Sequence, residues 1–294
     1  ISTRDWSSDV CSSDLGRPDF VAGHSLGEFD ALLAAGCFDF ETGLRLVQRR
    51  AELMAQAADG AMAAVLNLGP EDIARVLADN GLDEVDIANL NTPTQTVISG
   101  SRSQIARAEA FFQGGNVQYI PLNTSGAFHS RLMAPAQRAF ADFLAGFEFQ
   151  PPQIPVIANL TARPYGTHDV AANLAGQITG SVRWTDTIHY ILAQATAAGA
   201  GMEFTEVGHG DVLTKMVHKI RAAMPPPAPA AATSAANGRS VGNPEDKVRQ
   251  WNLRHPVGTR VRAAVLADAV AETRTQAVLL FQHRAAVYLQ GYNG

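Results

Sequence analysis

Cysteine is scarce in this chain, with two residues among 294. Neither a disulfide framework nor a zinc site can be built from them, and a reducing, cytoplasmic setting is the default. Cys37 sits beside Gly36 at an expected helix end and reads as a small buried hydrophobe; Cys11 lies in a Ser/Asp-rich opening stretch. Positive charge is not in excess either. A net charge of −5 and a pI near 5.9 argue against a nucleic-acid binder. No apolar run approaches the roughly 20 residues of a membrane helix, and no basic-then-apolar signal pattern opens the chain. Internal repeats are missing. Residues 1–15 lack periodicity and read as foreign to the fold or disordered. What remains, 46% hydrophobic and 17% charged, suffices for one substantial core plus a smaller unit.

The most informative stretch is Gly23-His24-Ser25-Leu26-Gly27. An apolar run, Phe20 to Ala22, precedes it, and a helical pattern from Glu28 to Ala35 follows. Strand, sharp turn and helix form the context in which G-x-S-x-G presents a nucleophilic serine. The helix start points backbone N–H groups, and the positive end of its dipole, at negative charge forming near Ser25. A second signal is Arg50. From Thr42 to Ala58 a helical period puts Leu46, Val47, Leu53 and Met54 on one face, and Arg50 shares that face, whereas Arg49 lies on the polar side. A buried arginine needs an anion; a structural ion pair or a side chain snorkelling to solvent would serve as well as a ligand.

Further along, the pieces Met62–Leu68, Glu71–Asn80, Val85–Ala88, Gln95–Ser99, Ser103–Phe112 and Val117–Leu122 alternate strand, helix, strand, strand, helix, strand. That order is the ferredoxin-like βαββαβ pattern. His129 follows in Ala127-Phe128-His129-Ser130, before a helix expected from about Arg131 to Phe147; by itself such a histidine is often a cap or a surface group. Then come a strand over Ile154–Asn159, a helix over Val170–Ile178, a helix over Ile188–Ala198, a strand over Phe204–Val207 and a helix over Val212–Ile220. Residues 225–243 are Pro/Ala-rich and read as a linker. Residues 244–294, with strands at Val257–Val265, Thr273–Phe281 and Ala286–Gly291, read as a small β-rich unit that is cut short.

The string His24-Ser25-Leu26-Gly27-Glu28, together with Ala127-Phe128-His129-Ser130, resembles malonyl-CoA:acyl-carrier-protein transacylases and the acyltransferase domains of polyketide and fatty acid synthases. The resemblance runs from about Phe20 to Ile220. It implies an α/β fold: a hydrolase-like parallel sheet core over 16–60 and 124–224, carrying the ferredoxin-like insertion over 61–123. The small C-terminal β-rich unit lies outside it. It also implies a preceding N-terminal portion, with a Gly-Gln-Gly loop that supplies one oxyanion donor. Without that loop the chain is expected to turn over poorly.

Residue by residue, the resemblance makes Ser25 the nucleophile, His129 the general base, the backbone carbonyl of Gln177 the group that orients the imidazole, and the Leu26 N–H an oxyanion donor. Arg50 holds the free carboxylate of a malonyl group, Phe128 crowds out a branched extender, and His24 and Asn159 line the substrate site. In the family a Gly-Pro-Gly turn stands where this chain has Gly208-His209-Gly210. The substrates implied are malonyl-CoA and a phosphopantetheinylated acyl carrier protein. No metal or other cofactor, no nucleic acid and no membrane enter, and other synthase domains are possible partners. A serine hydrolase that clears acyl groups from carrier proteins, and an inactive scaffold, are the alternatives.

Overall fold

The computed structural model describes residues 18–57, 60–198, 200–208 and 210–224, and the backbone of 261–266. The leader over 1–15, the linker over 225–243, His209 and the expected strands Thr273–Phe281 and Ala286–Gly291 lie outside the described residues.

Along the chain, β1 (Phe20–Gly23) leads into α1 (Gly27–Ala34) and α2 (Phe40–Gln56). The insertion follows as β2 (Ala61–Leu66), α3 (Pro70–Asp79), β3 (Asp86–Thr92), β4 (Gln95–Gly100), α4 (Arg102–Ala108) and β5 (Gln118–Leu122). The chain returns through a 3-10 turn, Arg131–Met133, into α5 (Ala134–Leu144), then β6 (Val156–Ile157), α6 (Val170–Gly176), α7 (Trp184–Ala197), β7 (Met202–Val207) and α8 (Val212–Ala223); β8 (Val261–Leu266) comes last.

Two sheets result. The first is parallel, in the order β6-β1-β8-β7. Side chains of β1 alternate between its faces, as strand geometry requires. Val21 joins Phe29, Leu32, Leu46 and Phe140 on one side, while Phe20 and Ala22 join Trp184, Ile188 and Val217 on the other. A strand covered on both faces reads as a continuous apolar run, which is why Phe20-Val-Ala22 shows no polar alternation. The second sheet is antiparallel, in the order β3-β4-β2-β5, the ferredoxin-like arrangement. Ala63, Val65 and Ile98 pack on α3 and α4 through Ile73, Leu77 and Ile105; Met62, Ala64 and Val97 face the opposite way, toward Phe128.

The insertion is fastened to the main body beside the site. Leu90 N–H donates to the Val182 carbonyl at 2.9 Å, and Val182 N–H to the Ala88 carbonyl at 2.8 Å. Arg131 grips Asp86 through Nη2 at 2.6 Å and its own backbone N–H at 2.8 Å.

Several expectations are corrected. The strand expected over Ile154–Asn159 shrinks to two residues, because the Asn159 N–H turns away to a side chain (below) and Ala158 N–H pairs with the Arg163 carbonyl. The helix from Arg131 opens as a 3-10 turn and becomes α-helical only at Ala134, where Pro135 fits the first turn. The Thr42 helix begins two residues earlier, at Phe40, because the Asp39 carboxylate caps it by accepting from Thr42 N–H at 2.8 Å. Lastly, residues 261–266 do not belong to a separate β-rich unit. They lie between β1 and β7, with Ala263 opposite both Phe20 and Phe204. A gap one strand wide in a buried parallel sheet leaves two rows of backbone groups to satisfy, and this backbone pairs with both.

Candidate active site

At the end of β1 the chain turns back into α1 within a single residue. Ser25 takes φ = +52°, the left-handed region that a side chain adopts only under constraint. Bonds from Gly27 N–H to the His24 carbonyl (3.0 Å) and from Glu28 N–H to the Ser25 carbonyl (3.2 Å) hold the bend. Here Gly23 and Gly27 touch: a Cβ at Gly23 would stand 1.9 Å from the Gly27 carbonyl oxygen. Asn159 completes the brace. Its Oδ1 accepts from Ser25 N–H at 2.7 Å, and its Nδ2 donates to the Gly23 carbonyl at 2.5 Å. Both ends of that amide are committed to the bend. Asn159 therefore supports the nucleophile's bend.

His129 reaches Ser25 from the loop before the 3-10 turn, itself at φ = +57°. Ser130 sets that loop by donating to the Ala127 carbonyl at 2.6 Å. The imidazole Nδ1 faces two carbonyls, Gln177 at 2.7 Å and Gly180 at 3.2 Å. Carbonyls only accept, so Nδ1 carries the proton and Nε2 is left as an acceptor. Ser25 Oγ lies 2.8 Å from Nε2 and donates to it. Burial, with the Arg50 charge nearby, pulls the His129 pKa down to about 3, so the resting ring is neutral, and its unprotonated Nε2 is the atom that faces the serine hydroxyl.

Arg50, 7% exposed, enters from α2. Its Nη2 donates to Ser25 Oγ at 3.0 Å and to Gln177 Oε1 at 3.2 Å, and its guanidinium lies 5.7 Å from the centre of the Phe29 ring. Behind Gln177 stands Glu28, fully buried. Desolvation pushes its carboxyl up to about 7, against the pull of its hydrogen bonds and of Arg50. The sequence places Glu28 at the end of the motif string but gives it no role. A carboxylate inside a first helical turn reads as dipole compensation until the fold shows it facing inward.

The remaining candidates fall around the same bend. Leu26 is buried directly after Ser25, at the start of α1. His24 is half-buried; its Nε2 lies 2.8 Å from Asn91 Oδ1 and its ring meets Trp184 edge-on at 5.5 Å, which ties the bend to β3 of the insertion. Asn91 and Tyr165 were also missed. Phe128 is half-buried and packs against hydrophobic clusters of both the main body and the insertion. Next to His129 a cavity of about 660 Å³ opens between the insertion and the main body, lined by Leu77, Leu82, Asp86, Arg131 and Gly180 among others. Cys37 is buried, and its thiol is pushed up to about 12, so it is inert. Among the described residues no cluster of His, Cys, Asp and Glu could hold a metal, and no helix is long and apolar enough to cross a membrane.

The buried neutral imidazole has a consequence for stability. Its folded pKa lies below the unfolded value near 6.5, so its contribution is present above pH 6.5 and is lost as pH falls toward 3. We expect the thermal midpoint of the native protein to drop, relative to that of a His129→Gln variant, as pH goes from 7 to 5. A difference that stays constant over that range would contradict a buried neutral ring.

A serine that hands its proton to a neutral imidazole, at a strand–helix bend of an α/β sandwich, defines proteins that pass acyl groups through a serine ester. Residues 8–232 match the acyl transferase domain, and the chain belongs to that family. It is 50% identical over 207 residues to the polyketide biosynthesis malonyl CoA-acyl carrier protein transacylase PksC of Bacillus subtilis, covering 70% of each chain. It is 54% identical over 209 residues to the polyketide biosynthesis protein ThaF of Burkholderia thailandensis, a match over 70% of this chain but 18% of that longer protein. The crystal structure of a malonyl CoA-acyl carrier protein transacylase from Burkholderia pseudomallei superposes with a TM-score of 0.72 at 59% identity, covering 74% of each chain.

Proposed function

We propose that this protein transfers a malonyl group from malonyl-CoA to the phosphopantetheine thiol of an acyl carrier protein, in polyketide or fatty acid biosynthesis in the cytoplasm. The observation that carries the reading is the guanidinium of Arg50 at 3.0 Å from the hydroxyl that would bear the acyl group. A hydrolase of neutral acyl chains gains nothing from a buried cation there, whereas a malonyl ester on Ser25 places its free carboxylate within reach of the planar guanidinium fork. The names of the related transacylases support the same substrates.

In this scheme Ser25 Oγ attacks the thioester carbonyl while its proton passes to His129 Nε2. The tetrahedral oxyanion takes a hydrogen bond from Leu26 N–H. As the C–S bond breaks, coenzyme A leaves with the proton returned from His129. The carrier-protein thiol then gives its proton to His129 and attacks the ester, and Ser25 recovers its hydrogen as the C–O bond breaks. A carbonyl behind the imidazole, in place of a carboxylate, polarises it less strongly, which suits an enzyme whose acyl ester must outlast contact with water. Ser25 and His129 carry every proton and acyl movement, so the scheme calls on no metal or organic cofactor. Phe128, wedged between two clusters, restricts the space beside the malonyl α-carbon and favours the unbranched extender.

Arg50→Ala tests the reading. We expect malonyl loading of Ser25, followed by intact mass, to fall by roughly 10²-fold, and acetyl loading to rise relative to it, because a lost charge-assisted bidentate contact is worth about 2–3 kcal/mol. An unchanged preference for malonyl over acetyl would remove it.

A further inference from the structure

One buried group has no part in this scheme and yet lies a single side chain away from Arg50. All three groups facing the Glu28 carboxylate in this network donate to it. Oε1 accepts from Asn159 N–H at 2.8 Å and from the Tyr165 hydroxyl at 2.7 Å; Oε2 accepts from Gln177 Nε2 at 2.6 Å. An ionised carboxylate can only accept, so it selects one orientation of the Gln177 amide, nitrogen toward Glu28 and oxygen away. That oxygen is the one that accepts from Arg50 Nη2 at 3.2 Å. Turned over, the amide would set its carbonyl against a carboxylate and its NH₂ against a guanidinium. The asymmetry of one glutamine thus transmits the sign of the Glu28 charge to the arginine.

We propose that Glu28 is a positioning residue for acyl-group selection: acting through the side chain of Gln177, it aims Arg50 at the carboxylate of a dicarboxylic acyl group on Ser25. The inference rests on the malonyl reading above. The two bonds at Oε1 serve the bend, by holding Asn159 and Tyr165. The bond at Oε2 serves selection. Gln177 then has two separate duties, its backbone carbonyl to the base and its side chain to the substrate-reading cation.

The test compares Glu28→Gln, Gln177→Met and Arg50→Ala in the full chain, with loading of Ser25 by malonyl-CoA and by acetyl-CoA measured at pH 8. Glutamine at 28 keeps the volume; with its oxygen kept on the two Oε1 donors, Asn159 N–H and the Tyr165 hydroxyl, its NH₂ faces Gln177, whose amide must then reverse and turn its own NH₂ toward Arg50. For Glu28→Gln we expect KM for malonyl-CoA to rise about tenfold or more and the malonyl-to-acetyl ratio to fall by a similar factor, while the maximal acetyl loading rate changes less than about threefold. A residue that merely holds the fold together would lower both acyl groups in step. Gln177→Met keeps the backbone carbonyl, deletes the amide and should lose the same preference. A folded Glu28→Gln protein with native KM and ratio overturns the proposal; if that variant does not fold, a native ratio in Gln177→Met overturns it. Loss of preference in Arg50→Ala alone sinks the positioning role and spares the malonyl reading, whereas native preference in Arg50→Ala sinks both.

Discussion

Replacing His129 with alanine is expected to slow acylation of Ser25 by roughly 10⁴–10⁶-fold, the range found when the base of a serine nucleophile is removed. The size follows from the geometry. The hydroxyl has one proton acceptor, Nε2 at 2.8 Å, and its other neighbour, Arg50, can only donate. With the imidazole gone, the attacking oxygen must shed its proton to whatever water enters a site where Ser25 is 7% exposed. A burst experiment with malonyl-CoA, read by intact mass in seconds for the native protein and hours for the variant, measures the ratio, and Ser25→Ala should form no adduct at any time. If His129→Ala loads within tenfold of the native rate, another base is at work and the proton path described here is wrong. Arg50 sharpens the expectation. It is present in both proteins, so the difference isolates the proton acceptor.

The second large effect concerns a residue with no side chain. Gly23→Ala would place a Cβ 1.9 Å from the Gly27 carbonyl oxygen and 2.4 Å from the Glu28 backbone nitrogen. Both are backbone atoms, so no rotamer change relieves the clash. The strand cannot back away either, since β1 is paired on both edges, to β6 and to β8. The bend must open, which separates Ser25 from His129 and pulls Asn159 off the Gly23 carbonyl. We expect a loss on the order of 3–5 kcal/mol in unfolding free energy, among the largest that single substitutions cause, together with loss of Ser25 loading. Gly114→Ala is the control. An added Cβ there meets nothing within 4 Å, and its effect should stay within about 0.5 kcal/mol. A Gly23→Ala protein as stable as the control would mean the strand–helix contact is looser than described.

Much of this site is legible before any coordinates. Five residues with glycine at both ends mark a bend because only glycine lets a strand and the helix after it come so close, and Arg50 betrays itself by falling in phase with Leu46 and Leu53 on an apolar face. The insertion is legible for the same kind of reason: its strands and helices are short, strongly periodic and close together in sequence, so local pattern carries topology. Periodicity, steric demand and residue chemistry are properties of neighbouring positions, and those the chain states openly.

What local pattern cannot state is which distant groups share a hydrogen bond. Nothing near Asn159 says that its amide is spent on the nucleophile's backbone, and nothing near Glu28 says that its carboxylate turns inward to Gln177, 149 positions away. The same holds for residues 261–266: the expected strand Val257–Val265 covers most of them, but local pattern does not state the gap between β1 and β7 that they enter. These are meetings across the fold. They are decided by where buried polar groups find partners once water is excluded, and that is settled by tertiary packing alone.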